Sequence, residues 1–205
     1  MADSPLLIAG LGNPGAQYAR NRHNVGFMCV DTIHESYGFG PWRAKFQGFI
    51  SEGKLKRRKV YLLKPMTYMN DSGLSVGGAA RFLKLMASAV VVMHDEIDLA
   101  AGKLKAKTGG GDAGHNGLRS ITAALGPDYH RVRIGVGHPV TRERVVGHVL
   151  QNFSKADEEW LIPTLSAIAE AAPLIAEDDI VGFMNKVALI LHPQEHKPKP
   201  EKDQG

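Results

Sequence analysis

The chain has 205 residues, of which 43% are hydrophobic and 22% are charged, values typical of one globular domain with a sizeable core. It has no run of about 18 consecutive apolar residues, which excludes a membrane-spanning helix, and its first residues lack the pattern of a secretory signal. A single cysteine, Cys29, excludes an internal disulfide and fits the reducing cytoplasm, where we expect the protein. The formal net charge of +4 permits a polyanionic partner such as nucleic acid without requiring one.

The first part of the chain alternates between apolar runs and helical patterns. Residues 5–11 form an apolar run that ends in Gly and Pro, which predicts a buried strand. Asn24 is suited to cap a helix that ends near Gly38. Residues 46–52 and 60–64 predict two strands on either side of a basic turn.

The same alternation continues to the end of the chain. A helix that begins at Asp71 or Ser72 is followed by a buried strand over residues 89–93, which ends at the polar residues 94–96. Four apolar residues are assigned to this helix, namely Leu74, Phe82, Leu83 and Met86. The remaining predicted elements are a strand over 103–107, a helix over 118–125, a strand over 131–137, and helices over 154–172 and 181–191. The helix after Ser154 opens with a capping box that Asp157 completes.

Strands that alternate with helices predict one α/β domain over residues 1–191, with a largely parallel or mixed sheet. Residues 192–205 are rich in Lys and Pro, and we expect them to form a disordered tail. Ligands in such folds bind at the carboxyl ends of strands. Asn13, Asp95 and the loop at residues 137–138 each follow a predicted strand, so we expect them to converge at one edge of the sheet.

Glycines at positions 10, 12 and 15 match the spacing of a dinucleotide-binding loop. The context does not fit, because the next helix begins near Asn24 instead of at the third glycine, and Glu35 lies within that helix. A plain tight turn would explain the glycines, but it leaves the neighbouring Asn13, His23 and Asn24 unexplained.

His23 and Asp95 are the candidates for acid–base chemistry. A neutral imidazole takes a proton from water near pH 7, and a carboxylate at a strand end is suited to fix its tautomer. The alternative for His23 is a capping or surface histidine, and Glu96 and Asp98 are rival carboxylates.

Two asparagines near predicted helix starts are candidate ligands of a substrate. Asn70 and Asn116 can each be an N-cap, or can donate to an oxyanion and accept from a peptide N–H. The glycines at 109–111 suit a close substrate approach or a merely flexible loop. Paired cysteines and metal-binding histidine motifs are missing from the sequence, so we expect no built-in metal, and a site at His94 and Asp98 is disfavoured.

Two groups of basic residues are candidates for contact with phosphates. Residues 54–59 predict a solvated hairpin tip, with phosphate contact as the alternative. Lys103, Lys105 and Lys107 alternate along a predicted strand and therefore share one face. Together with Arg131 and Arg133 they predict a basic surface that positions a nucleic acid without reading its bases.

Across residues 6–190 the chain resembles the bacterial-type peptidyl-tRNA hydrolases. The resemblance rests on ordered motifs at residues 10–15, 18, 22–26, 65–73, 94–99, 109–118 and 131–139. It implies a monomer with a twisted mixed sheet flanked by helices, and cleavage of the ester that joins a peptide to the 3′ end of tRNA. It implies neither a metal nor an organic cofactor. An inactive RNA-binding protein on this scaffold and a nucleotide-binding oxidoreductase are the alternatives.

The resemblance also implies roles for individual residues. His23 matches the catalytic base, Asp95 the carboxylate that supports it, and Asn13 the residue that distinguishes blocked from free aminoacyl groups. Positions that match contacts with the substrate or the tRNA are Tyr18, Tyr68, Met69, Asn70, Asn116, Lys107 and Arg133. Tyr68 stands where many members have Phe, and Asp112-Ala113 is a variable pair in the glycine loop. The Lys- and Pro-rich tail has no clear counterpart in the family.

Overall fold

The computed structural model describes residues 4–139, 141 and 144–193. Over these residues the chain forms seven strands: β1 (Leu6–Gly10), β2 (Arg43–Lys45), β3 (Gly48–Leu55), β4 (Arg58–Pro65), β5 (Val90–Glu96), β6 (Leu104–Thr108) and β7 (His130–Gly135). It also forms six helices: α1 (Val25–Tyr37), α2 (Ser72–Phe82), α3 (Asn116–Leu125), α4 (Val145–Val149), α5 (Lys155–Ala176) and α6 (Ile180–Leu191). Most of the predicted tail, from residue 194 onward, lies outside the described residues. None of the described helices is long and apolar enough to cross a membrane.

The strands form one mixed sheet in the order β2-β3-β4-β1-β5-β7-β6. The central pairs β4–β1, β1–β5 and β5–β7 are parallel, whereas β2–β3, β3–β4 and β6–β7 are antiparallel. The predicted mixed α/β fold is confirmed, with parallel pairing in half of the pairs and confined to the centre. The carboxyl ends of β1, β4, β5 and β7 consequently lie at one edge of the sheet.

The central strand β1 is buried along its whole length because helices cover both faces of the sheet. Leu6 and Ile8 point into the core beneath α1, α5 and α6, and Leu7 and Ala9 point into the core beneath α2 and α3. This alternation follows from the two-residue period of a strand. Cys29 lies buried in the first of these cores.

Two glycines let α1 approach β1 closely. A Cβ on Gly10 would lie 2.0 Å from the carbonyl oxygen of Gly26, and a Cβ on Gly26 would lie 2.3 Å from the nitrogen of Leu11. Gly10 is therefore needed for the packing of α1 on the strand, and α1 begins at Val25, ten residues after the third glycine of the motif. This arrangement lacks the helix N-terminus that a dinucleotide site requires beside its last glycine.

The helix ends agree with the sequence at some positions and differ at others. Gly38 ends α1 in the left-handed conformation, and Ser154 and Asp157 form the predicted capping box of α5, which continues to Ala176. The extent of α2 differs from the prediction, because Leu83 and Met86 were assigned to this helix and lie beyond its end. The helix ends at Phe82, and Leu74, Phe82 and Met86 are exposed, whereas the small residues Gly73, Ala79 and Ala80 are buried with Val76.

Two short elements escaped the sequence analysis. All three residues of β2 are exposed, so the strand lacks the alternating apolar pattern that identifies most strands. The five-residue helix α4 is too short for a helical period to stand out. It nonetheless matters for function, because its residues form one wall of a cavity at the carboxyl ends of the parallel strands, which is described below.

Candidate active site

Two of the predicted catalytic residues, His23 and Asp95, meet a third residue, His115, at the edge where the parallel strands end. His23 lies in a short 3₁₀ turn before α1, Asp95 lies near the end of β5, and His115 occupies the N-cap of α3. They border a cavity of about 270 Å³. The other lining residues are Asn13, Met69, Asn70, Glu96, Ile97, Ala113, Gly114, Asn116, Val145, Val146, Val149 and Leu150.

His23 and Asp95 are joined by a hydrogen bond of 2.8 Å between Nδ1 and Oδ1. Asp95 is only 3% exposed, so it is more buried than its place at a strand end suggested. With Nδ1–H donating to the carboxylate, Nε2 is the nitrogen of His23 left to accept a proton. This arrangement of imidazole and buried carboxylate is suited to general-base chemistry.

His115 is the third member of this cluster, and its sequence motif predicted no role for it. Its Nε2–H donates to the same Oδ1 of Asp95 at 3.1 Å, and its Nδ1 accepts from the backbone N–H of Leu118 at 3.4 Å. The ring centroids of His115 and His23 are 5.0 Å apart. One carboxylate oxygen therefore orients two imidazoles.

The electrostatics of the cluster follow from burial and from this shared carboxylate. Burial alone would lower the pKa of His23, but the charge of Asp95 and its hydrogen bond outweigh burial and raise that pKa. Burial would raise the pKa of Asp95, yet His23 and His115 together hold it well below its usual range. Asp95 is thus ionised across the working pH range, and His23 holds a proton more tightly than a free imidazole.

His94 lies beneath the cluster and is uncharged. Burial, followed by the nearby His115, lowers the pKa of His94 to about 3. Its Nδ1–H donates to the backbone oxygen of Asp95 at 2.7 Å, and the ring meets that of His115 edge-on. The disfavoured metal pair of His94 and Asp98 has no support in the described residues. A cation would instead find donor atoms within 4.8 Å of one another on His23, Asp95 and His115.

Asn13 is held rigidly at the cavity wall. Its Oδ1 accepts from the backbone N–H of Met69 at 2.8 Å, which leaves its amide N–H groups available. The side chain of Asn24 accepts from the backbone N–H of Asn13 at 2.9 Å and donates to its backbone oxygen at 3.0 Å. The sequence predicted that Asn24 caps α1, but its side chain makes no capping hydrogen bond. It instead fixes the turn that carries Asn13.

The remaining candidate substrate contacts divide into two groups. Asn70 and Asn116 are exposed and line the cavity, and Met69 lines it from a buried position. Tyr18 and Tyr68 do not line it. Tyr18 ends a short turn before His23, and Tyr68 is 61% exposed next to Met69.

The turn that carries His23 is tied to the start of α5. The guanidinium of Arg22 donates to Asp157 at 2.8 Å and to the backbone oxygen of Asn152 at 3.0 Å. Asn21 forms a bridge with Asn152, both through the backbone and through a side-chain hydrogen bond of 2.8 Å. Residues far apart in the sequence thus set the position of His23.

The basic residues of β6 and β7 do not form one open surface. Arg133 donates to Glu96 at 2.9 Å at the side of the cavity, and Lys107 extends along the glycine loop near Gly110. Arg131, expected on the surface, is fully buried beneath that loop. The rival carboxylates are also accounted for, since Glu96 binds Arg133 and Asp98 is exposed.

The basic run at 54–59 is largely engaged in intramolecular ion pairs at the opposite edge of the sheet. Arg58 is buried and contacts Asp178 at 2.6 Å, Lys56 contacts Glu177 at 2.6 Å, and Lys59 contacts Glu52 at 2.8 Å. Arg58 also donates to the backbone oxygen of Ala176 at 3.3 Å, at the end of α5. The run thus fastens the hairpin to that helix.

Comparison with known proteins places this arrangement in a family. A family described as peptidyl-tRNA hydrolase matches residues 7–198. A peptidyl-tRNA hydrolase of Ruegeria pomeroyi is 57% identical over 97% of this chain and 82% of its own length, and that of Parvibaculum lavamentivorans is 55% identical over 98% of each. The crystal structure of peptidyl-tRNA hydrolase from Acinetobacter baumannii matches with a TM-score of 0.85 and 39% identity, over 90% of this chain and 95% of that one. The chain therefore belongs to the peptidyl-tRNA hydrolase family and is a hydrolase.

Proposed function

We propose that this chain cleaves the ester between peptide and tRNA in peptidyl-tRNA and so releases free peptide and free tRNA. In this proposal His23 is the general base that activates water. The observation that carries the proposal is the 2.8 Å contact between His23 and the buried carboxylate of Asp95 at the wall of a cavity. The likeness to relatives named peptidyl-tRNA hydrolases supplies the substrate.

In the proposed reaction, Nε2 of His23 takes a proton from water while the water oxygen attacks the ester carbonyl. Asp95 stabilises the imidazolium that forms. The tetrahedral intermediate then expels the ribose oxygen, which receives a proton from His23. The products are a peptide with a free carboxylate and a tRNA with a free hydroxyl, and no metal or organic cofactor takes part.

The carboxamides around the cavity supply donors for the developing oxyanion. Asn13 has its oxygen occupied by Met69, so its N–H groups are directed to other partners, and Asn70 lies on the same cavity. We assign oxyanion or water binding to these two residues. Asn13 also suits recognition of the first peptide amide, which an unblocked aminoacyl group replaces with an ammonium.

The tRNA is assigned to the surface beside the cavity, along β6, β7 and the start of α3. Lys107 and Arg133 lie on the same face of neighbouring antiparallel strands, and Arg133 is anchored by Glu96, which lines the cavity. Cationic side chains of this kind hold phosphates and leave the bases unread. Tyr18, Tyr68 and Asn116 complete the proposed contacts. We expect a monomer that acts in the cytoplasm.

The decisive experiment compares release of N-acetylamino acid and of free amino acid from tRNA, each with and without EDTA. We expect rapid, EDTA-resistant release of the blocked residue and slow release of the free one. Binding of tRNA without hydrolysis would instead identify an inactive RNA-binding protein. Saturable binding of NAD would support the oxidoreductase alternative.

A further inference from the structure

A buried arginine lies under the glycine loop that forms one wall of the cavity. Arg131 is fully buried, and its Nη1–H donates to the backbone oxygen of Gly111 at 2.7 Å. Its Nη2 lies 3.3 Å from Oδ1 of Asp112 and donates to Thr122 at 3.4 Å, and the guanidinium lies 4.6 Å from the ring centre of Tyr129. Asp112 is the carboxylate that balances this charge, and a buried charge without a partner is costly.

The loop above Arg131 has a backbone that needs external support. Gly109, Gly110, Ala113 and Gly114 have positive φ angles of 68°, 88°, 48° and 77°. Such residues flank Asp112 on both sides, and a glycine-rich segment of this kind has many accessible conformations. The side chain of Asp112, which also accepts from Thr122 at 2.8 Å, ties the middle of the loop to β7 and α3.

Asp112 is connected to the catalytic cluster by a short path. Its backbone oxygen accepts from the N–H of His115 at 2.8 Å. The ring of His115 then donates to the Asp95 oxygen that orients His23. Displacement of the loop at Asp112 would therefore move His115 away from the carboxylate.

We propose that Asp112 and Arg131 are a positioning pair, which holds the glycine loop so that His115 stays bonded to the Asp95–His23 pair. This role rests on the proposed function of His23.

The test is Asp112→Asn, which retains the shape of the side chain and removes its charge. We expect kcat to fall roughly tenfold, with a small change in KM. Without the hydrogen bond from His115, the Asp95 charge acts more fully on His23, so the acid limb of the kcat/KM profile should move to higher pH. In a His115→Ala background, Asp112→Asn should cause little further loss of kcat.

A matched control exists at Arg58, a second buried arginine among the described residues. Asp178 contacts Arg58 at 2.6 Å at the far edge of the sheet. Asp178→Asn likewise removes the negative charge that pairs with a buried guanidinium. Both variants should unfold at lower temperature, but Asp178→Asn should retain kcat and the pH profile. Equal loss of kcat in the two variants, or full additivity with His115→Ala, would overturn the positioning role.

Two further measurements separate this role from the proposed function. NMR titration of the His115 and His23 imidazoles in substrate-free protein should show the changed environment in Asp112→Asn, even if the wild type fails to cleave peptidyl-tRNA. If Asp112→Asn does not fold, Thr122→Val is the second variant, because it removes the hydroxyl that binds Asp112. It should change the NMR signals of the His115 and His23 rings in the same direction as loss of the Asp112 charge would, but by less. Unchanged imidazole signals in whichever of these variants folds would contradict the proposal.

Discussion

At the scale of single residues, the site is organised around one carboxylate oxygen. Oδ1 of Asp95 accepts from both His23 and His115, and the two imidazoles keep Asp95 ionised although it is buried. In return, Asp95 fixes the tautomer of each ring. Changes at any of the three residues should therefore alter the other two.

Replacement of His23 tests the assignment of the base. General-base catalysis contributes typically about 10²–10⁴-fold, so His23→Ala should lose turnover in that range. Because the tRNA contacts are assigned elsewhere, affinity for tRNA should stay close to wild type. Single-turnover hydrolysis and tRNA binding measured on the same preparation check both expectations, and near-normal turnover would exclude His23 as the base.

The pH dependence follows from the direction of the His23 shift. The raised pKa means that the neutral base predominates only above the ordinary histidine pKa of about 6.5, so kcat/KM should rise through an ionisation above that value. Asp95→Asn removes the charge but not the burial, and should move that ionisation to lower pH with a smaller maximum. The raised pKa also stabilises the fold below the unfolded-state pKa, and this contribution is lost as pH rises through the folded-state value. An identical acid limb of the kcat/KM profile in the wild type and in Asp95→Asn would contradict the pairing of His23 with Asp95.

The selectivity assigned to Asn13 has its own measurement. Asn13→Ala removes an amide at the wall of the cavity, so the ratio of kcat/KM for blocked and unblocked aminoacyl-tRNA should fall. Ser75→Ala offers a comparison, since Ser75 is buried in α2 away from the cavity lining. Ser75→Ala should leave this ratio of kcat/KM values unchanged. The same result in Asn13→Ala would contradict the role of Asn13 in distinguishing blocked from unblocked substrates.

At the scale of elements, the crossing of α1 over β1 places His23. Gly26→Ala would put a Cβ 2.3 Å from backbone atoms of Leu11 and Met93, and overpacking of this kind costs roughly 1–3 kcal/mol. Gly78→Ala in α2 meets no atom within 4 Å and should be neutral or stabilising. Urea unfolding of the two variants checks the contrast, and equal free energies of unfolding would contradict the close crossing.

At the scale of the whole molecule, the two groups of basic residues described above, on β6 and β7 and at residues 54–59, lie at opposite edges of the sheet. Lys107→Ala should weaken tRNA binding and reduce the slope of log affinity against log salt by about 1. Arg57→Ala, at the exposed hairpin tip far from the site, should leave the slope unchanged. A slope that falls only in Arg57→Ala would move the tRNA to the other edge.

The sequence predicted much of this molecule, because strand ends at one edge bring polar residues together. Asn13 and Asp95 were singled out in this way, and His23 was singled out by its imidazole chemistry and its place before the first helix. It could not predict that Asn24 binds Asn13, since an asparagine before a helix is equally suited to capping. It did not assign a role to His115, nor foresee that Arg131 is buried, because both depend on which atoms the glycine loop meets in three dimensions.

The attachment of the His23 turn to residues 152–157 has a consequence for the order of folding. Loop closure between such distant segments comes late, because it needs both segments to be present. During synthesis, the part of the chain that carries His23 is complete long before Asn152 and Asp157 emerge. A nascent chain of this protein is itself joined to tRNA by the kind of ester that the finished protein is proposed to cut. The turn that carries the proposed base therefore lacks these contacts until residues 152–157 have been synthesised.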